Sequence, residues 1–263
     1  MTSGKKIVLY LIVLYISIGI LSGAYLLTSQ GNNVIVFIGS WAPNLSALIV
    51  LGFILKERHG VRNLLKRWLQ WRLPFSSYGL SVIYLLIVGL SIFLYTIFGG
   101  KMKTIEDFQL KKVITLVPLL LITGATGEEL GWRGFMLSEL QKKYSGLMSA
   151  LIISPFWIIF HIPLWLRPEL GYSGIPFIVF SLSTVGLSVT LAYLVNRSRG
   201  SLLVASLAHF CGNFGLAFVP ALGMDPGRLF LIYGLLNVLY ATIIVLATGK
   251  HLGNGSRSHN SRG

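Results

Sequence analysis

The chain has 263 residues, of which 54% are hydrophobic and only 11% are charged. With a mean hydropathy of +0.75, this composition excludes an ordinary soluble globular domain and indicates a polytopic membrane protein. Membrane proteins concentrate Lys and Arg in their cytoplasmic loops, so the net charge of +14 does not indicate a nucleic-acid partner. The single cysteine, Cys211, excludes an intrachain disulfide and a zinc site built from several thiolates.

Eight apolar stretches are long enough to cross a bilayer as helices. They lie at residues 7–28, 34–55, 79–98, 113–141, 146–165, 174–195, 201–222 and 229–248. We therefore predict an all-α polytopic membrane protein with a buried polar active site. Its transmembrane catalytic domain is predicted to span residues 1–250, with a motif core at 113–222. Residues 251–263 are polar and rich in Ser, Asn and Gly, which predicts a disordered tail.

Residues 56–73 interleave six Lys and Arg residues with Leu and Trp, a pattern typical of a basic amphipathic helix on a membrane surface. A docking site for an anionic partner is the alternative. With eight spans both termini lie on one side, and the loops then divide fifteen Lys and Arg against six. The richer side also holds the termini, so both termini are predicted to be cytoplasmic.

The fourth apolar stretch contains the sequence Gly-Glu-Glu-Leu-Gly-Trp-Arg-Gly at 127–134. Ionised side chains at this depth are unfavourable by roughly 2.5 to 3.5 kcal/mol each, so Glu128, Glu129 and Arg133 require partners or a function. On a helix continuing from Val113 to Leu140, Glu129 and Arg133 stand at i and i+4 and can form an ion pair. A purely structural ion pair is the alternative interpretation.

Four glycines accompany these ionised groups at spacings of three, four and three. They are Gly124, Gly127, Gly131 and Gly134. On a continuous helix they form one smooth stripe, against which a second helix is predicted to pack closely.

The fifth stretch carries His161, and the seventh carries His209 and Asn213 one turn apart. At about 1.5 Å per residue, these side chains and Glu128 lie roughly 15 to 25 Å from the cytoplasmic boundary. A lone histidine in a membrane helix commonly serves as a hydrogen-bonding partner for another helix. In a chain with only eight acidic residues and five histidines, however, their shared depth indicates a functional site.

This set of side chains suits the hydrolysis of an amide bond. One of the two glutamates can take a proton from water, His161 can orient that water, and His209 with Asn213 can stabilise an oxyanion. The chain has no Gly-x-Ser-x-Gly and no His-Glu-x-x-His sequence. The neighbouring arginine favours a site without a cofactor, while zinc held by Glu128, His161 and His209 stays open as the alternative.

Three motifs resemble those of the CPBP family, the CAAX protease and bacteriocin-processing intramembrane endopeptidases. They are Glu128-Glu129-x-x-x-Arg133, the aromatic-x-x-x-His of Trp157 to His161, and the His-x-x-x-Asn of His209 to Asn213. The motifs occur in the family's order and at similar spacing, over residues 124–213. The common pattern has Phe at the position of Trp157, a replacement expected to keep the aromatic packing.

This resemblance implies an intramembrane peptidase with an eight-helix core. It implies that Glu128 activates the attacking water, with Glu129 and Arg133 as its support. It also implies that His161 positions the water and that His209 and Asn213 stabilise the oxyanion.

The resemblance further implies a peptide or protein substrate at the lipid bilayer, either prenylated or of the leader type, and a bacterial plasma membrane. A non-catalytic bacteriocin-immunity or scaffold protein of the same fold is one alternative. A proton-coupled transporter is another, but the polar residues lie in one half of the chain without an inverted repeat.

Overall fold

The computed structural model describes residues 1–28, 33–103, 110–166 and 172–254, apart from the side chains at 33 and 110–113. Within these residues, eight helices are long and apolar enough to cross a membrane, which confirms the predicted fold class. We number them as the first to the eighth span. Their bounds are Ser3–Leu26, Val34–Ile54, Phe75–Ile97, Ile114–Leu140, Gly146–Trp165, Phe177–Arg197, Leu203–Ala221 and Pro226–Thr248.

The fourth span lies between the second and the seventh spans, and these contacts form the site described below. Around them, the third span packs on the seventh, the fifth on the sixth, and the sixth on the eighth. Large apolar side chains on the outer faces of the spans remain exposed, as at Ile20, Leu86 and Leu246. Such a surface suits contact with lipid acyl chains.

The connecting segments form contacts with one another at each of the two ends of the bundle. At one end, Lys6 forms an ion pair with Glu57 at 2.7 Å, and the Leu147 amide donates to the Lys250 carbonyl oxygen at 2.9 Å. At the other end, the amide of Lys103 donates to a carbonyl oxygen at the end of the seventh span. The grouping agrees with the alternation of loops that eight spans require.

The basic segment forms a helix over Arg58–Trp68, shorter than the predicted 56–73. Arg67 ties this helix to the bundle because its Nε donates to the Gly200 carbonyl oxygen at 2.7 Å. Its Nη1 donates to the Gly134 carbonyl oxygen at 3.0 Å and to Ser138 Oγ at 2.8 Å. Burial lowers the pKa of Arg67 to about 10, which still leaves the guanidinium charged at neutral pH.

The predicted disordered tail starts too early at residue 251. Leu252 is fully buried, and Asn254 Nδ2 donates to Gln141 Oε1 at 3.1 Å, so the chain stays packed through 254. Residues 255–263 of the predicted tail lie outside the described residues. Among the other Lys and Arg residues counted in the loops, Arg167 and the side chains of Lys111 and Lys112 also lie outside the described residues.

Candidate active site

The fourth span is broken in the middle, where the sequence predicts a continuous helix. Thr123 has a ψ of −171°, and Gly124 has a φ of +39° and a ψ of −94°. Only glycine adopts this last conformation readily, since it lacks a Cβ atom. The helix resumes at Thr126, two residues before Glu128. The prediction of a smooth helix from Val113 to Leu140 is therefore wrong at Thr123 and Gly124.

Side chains from the second span satisfy backbone groups near this break. The Trp41 indole nitrogen donates to the Ile122 carbonyl oxygen at 2.8 Å. Asn44 donates to the Thr126 carbonyl oxygen at 2.6 Å and accepts from the Gly131 amide at 3.0 Å. Such partners are needed because unpaired backbone groups are costly in a membrane. Sequence analysis missed Asn44, although a buried amide in an apolar span was the available signal.

The glycine stripe has several partners rather than one packed helix. A Cβ atom on Gly127 or Gly131 would lie 2.6 or 2.4 Å from a carbonyl oxygen of the second span, so these two glycines permit the predicted close approach. Gly134 instead faces Leu64 and Leu202. Gly124 faces the seventh span, because the break rotates it away from the other three.

Glu129 is the central acceptor of the site and is fully buried. Its Oε1 accepts from Arg133 Nη1 at 3.2 Å, which is the predicted i to i+4 ion pair. The same oxygen accepts from His209 Nδ1 at 2.9 Å. Burial strengthens these interactions, and it also makes the loss of one partner costly. Glu129 therefore joins the fourth span to the seventh.

Glu128 is 3% exposed, and its Oε2 accepts a hydrogen bond from the Trp157 indole nitrogen at 2.5 Å. The face of the same indole lies 3.9 Å from the guanidinium carbon of Arg133. Trp157 therefore does more than the aromatic packing expected of it. A phenylalanine in its place would have no N–H group to donate.

Both histidine rings lie near the Trp157 indole, with ring centroids 6.0 Å away for His161 and 5.4 Å away for His209. His161 Nδ1 donates to the Trp157 carbonyl oxygen at 2.8 Å, because a carbonyl can only accept. His209 Nδ1 donates to the Glu129 carboxylate in the same way. In each ring Nε2 is the nitrogen that remains for water or substrate.

Gly124 marks the point where three of the predicted site residues meet. The position that its missing Cβ atom would take lies 2.9 Å from Asn213 Nδ2, 3.7 Å from Glu128 Oε1 and 3.9 Å from His209 Nε2. A carboxylate oxygen, an amide donor and an imidazole nitrogen therefore face a common space beside the broken helix.

We expect Gly124→Ala to reduce turnover by about 10²-fold, because a shift of about 1 Å in a catalytic group has an effect of that size. The new methyl group would displace Asn213, and the backbone at Gly124 would also be strained. Initial rates of peptide cleavage and thermal unfolding in detergent measure the two effects separately.

Gly99→Ala is the matched control for that substitution. Gly99 also has a positive φ, at +81°, but no neighbouring atom of the described residues lies within 4 Å of its Cβ position. The control should lose some stability and keep its turnover. Equal turnover in the two variants would contradict the close approach at Gly124.

Tyr172 is a further neighbour of the site that sequence analysis missed. Its ring lies 5.2 Å from Trp165 and 5.9 Å from Phe180. Burial raises the pKa of Tyr172 to about 12, and the negative charge of Glu128 acts in the same direction. The phenol therefore stays neutral at physiological pH. No motif in the sequence marks this tyrosine.

The described residues contain no group of three or more His, Cys, Asp or Glu side chains placed to hold a metal ion. Glu128, His161 and His209, the alternative zinc ligands, are therefore not arranged as a ligand cluster here. Glu129 is already shared by Arg133 and His209.

Residues 110–215 match the family described as type II CAAX prenyl endopeptidase, Rce1-like. The chain is also 30% identical over 146 residues to CAAX prenyl protease 2 of Methanococcus maripaludis, an alignment covering 51% of this chain and 54% of that protein. This chain therefore spans about half the length of the curated relative that it matches. The matched segment includes all six predicted site residues and the broken fourth span. The matched segment carries the three motifs in their predicted order, so this part of the chain is similar to Rce1-like CAAX endopeptidases, in agreement with the resemblance noted from the sequence.

Proposed function

We propose that this protein is an intramembrane endopeptidase that hydrolyses a peptide bond with water activated by Glu128. The observation that carries the proposal is the common space beside Gly124, which Glu128 Oε1, His209 Nε2 and Asn213 Nδ2 all face. These atoms can act as a base for water and as polar partners for the reacting carbonyl group. Their position at the break of a membrane span favours a substrate bound at bilayer depth.

In the proposed reaction, Glu128 removes a proton from water, and the resulting hydroxide attacks the carbonyl carbon of the scissile bond. The carbonyl oxygen becomes an oxyanion, which accepts a hydrogen bond from Asn213 Nδ2. Glu128 then passes its proton to the departing amine as the C–N bond breaks. The products are a carboxylic acid and an amine, so the carboxylate of Glu128 is regenerated.

His209 can donate to the same oxyanion only when both of its nitrogens carry protons, because Nδ1 already donates to Glu129. The Glu129 carboxylate stabilises the resulting imidazolium and is itself neutralised in part by Arg133. Glu129 and Arg133 therefore support the reaction by orienting His209 and balancing its charge.

His161 is proposed to position the attacking water. Its Nδ1 proton is committed to the Trp157 carbonyl oxygen, so Nε2 of the neutral ring accepts a hydrogen bond from water. The partial burial of His161 between Phe160 and Phe180 restricts the rotation of its ring. His161 thereby limits the orientations that the water can take before Glu128 removes its proton.

The name of the similar protein from Methanococcus maripaludis, CAAX prenyl protease 2, supports a substrate that reaches the site from the membrane. We infer a peptide or protein of the prenylated or leader type, cut next to the lipid bilayer. Both termini and the basic helix Arg58–Trp68 are proposed to lie in the cytoplasm, because that end of the bundle carries most Lys and Arg. The exposed apolar outer faces of the spans support integration in the bilayer.

The first experiment is to incubate the purified full chain in detergent with a pool of membrane peptides, with and without prolonged chelator treatment. We expect cleavage under both conditions, because the proposed base is a carboxylate acting on water. Mass spectrometry of the products identifies the cleaved bonds. Activity that is lost on chelation and restored by zinc would overturn the mechanism proposed for Glu128. Absence of cleavage in either condition would favour a non-catalytic scaffold.

A further inference from the structure

The indole of Trp157 contacts most of the charged and polar groups of the site without carrying a charge itself. It is 1% exposed, donates to Glu128 at 2.5 Å and stacks on Arg133 at 3.9 Å. Its edge meets the rings of both histidines. Trp157 takes no part in the proposed attack of water on the carbonyl carbon, so its contacts require a separate explanation.

We propose that Trp157 is a positioning residue, whose indole N–H holds Glu128 Oε2 so that Oε1 is presented to the attacking water. This inference rests on the proposed role of Glu128 as the base. Trp157 itself touches neither the water nor the reacting bond in this scheme. It acts on the reaction through the orientation of the carboxylate.

The geometry of a glutamate explains why such a restraint matters. The terminal torsion of a glutamate side chain is broad, so an unrestrained carboxylate samples many orientations. Within the described residues, the indole N–H is the only side-chain donor within hydrogen-bonding distance of the Glu128 carboxylate. Arg133 makes no hydrogen bond to Glu128: its Nη1 is directed to Glu129, and its Nε and Nη2 have no hydrogen-bond partner among the described residues. The Trp157 hydrogen bond therefore selects which oxygen of Glu128 faces Gly124.

Trp157 is itself held in place by two neighbours, His161 and Arg133. Its carbonyl oxygen accepts from His161 Nδ1 at 2.8 Å, which fixes the backbone next to the ring. The Arg133 guanidinium covers one face of the indole and is anchored in turn by Glu129. The indole consequently cannot turn its N–H away from Glu128 without breaking the stack on Arg133.

The test replaces Trp157 with 3-benzothienylalanine, which keeps the bicyclic ring and exchanges the N–H group for sulfur. We expect kcat to fall by about 10- to 100-fold, the effect of losing one hydrogen bond to a charged group. KM should stay close to its original value, because the indole does not contact the substrate. Unchanged kcat in a folded variant would overturn the proposal.

Trp132 provides the matched control on the fourth span. It is fully buried, and within the described residues its Nε1 has no hydrogen-bond partner. Its ring packs edge-on against Tyr10 at 5.9 Å and Phe160 at 6.1 Å. The same exchange for 3-benzothienylalanine at Trp132 should leave kcat unchanged. An equal loss at both positions would indicate a general packing effect and overturn the specific role of Trp157.

A double-mutant cycle shows whether Trp157 acts through Glu128. In Glu128→Asp the carboxylate is one methylene shorter and no longer reaches the indole, so the added exchange at Trp157 should cause little further loss of kcat. Independent, additive losses would overturn the proposal. Should the benzothienyl variant fold poorly, Trp157→Phe serves as the second variant, since it also lacks the donor and keeps an aromatic face for Arg133.

The same set of variants separates this inference from the proposed function. If Glu128→Gln is inactive and the Trp157 variants keep full kcat, the positioning role of Trp157 is contradicted, whereas the role of Glu128 as the base is supported. If Glu128→Gln keeps full turnover, Glu128 is not the base, and the role proposed for Trp157 is contradicted as well.

Discussion

Glu128→Gln will reduce peptide cleavage by about 10²- to 10⁴-fold, the range expected when a general base is removed. The amide has the shape of the carboxylate, and its oxygen can still accept the hydrogen bond from Trp157. It cannot, however, take a proton from water. Initial rates on a defined substrate measure the loss, and thermal unfolding in detergent should show a fold close to that of the original protein.

Glu139→Gln is the control for that result. Glu139 is a third buried glutamate on the fourth span, but it pairs with Lys142 at 2.6 Å near the end of the helix. We expect this variant to cleave at the original rate. Retention of full activity in Glu128→Gln would show that another group activates the water.

Arg133→Ala will destabilise the protein by about 3 to 5 kcal/mol, because it removes one partner of a buried ion pair. Glu129 would then be left with His209 as its partner, in a fully buried position. The face of Trp157 would also lose the guanidinium that covers it. The free energy of unfolding and the yield of folded protein in detergent measure the effect, and cleavage should be lost in the fraction that folds.

Two further substitutions test the cause of that instability. Arg133→Lys keeps the positive charge but not the planar group that stacks on Trp157, so we expect an intermediate loss of stability. Arg62→Ala removes an exposed arginine of the basic helix and should change stability by less than about 0.5 kcal/mol. Unaltered unfolding of Arg133→Ala would show that the ion pair does not hold the site together.

The apolar stretches predicted the spans well, because a membrane helix is specified by a run of about 20 local residues. The ion pair of Glu129 with Arg133 was also predictable, since a spacing of four places two side chains on one helix face. The shared depth of His209, Asn213 and the glutamates followed from counting residues inward from the ends of the spans. Each of these predictions uses information that lies within one helix.

The break at Gly124 could not be predicted from the residues of the fourth span alone. The stretch from 113 to 141 has the composition of an uninterrupted helix, and its glycines by themselves indicate close packing. The break persists because Trp41 and Asn44, from the second span, satisfy backbone groups around it. These partners are some 80 residues away along the chain, so the sequence pattern of the fourth span contains no sign of them.

Hydropathy and residue spacing were sufficient to predict the all-α membrane architecture, the family motifs and the set of polar residues available for chemistry. Tertiary structure alone decided how those residues are paired: Trp157 donates to Glu128, His209 donates to Glu129, and Asn213 meets the backbone at Gly124. The physical reason is that hydropathy and helical spacing set the depth and face of a side chain. Its hydrogen-bond partner depends on the rotation and packing of helices that are distant in the chain.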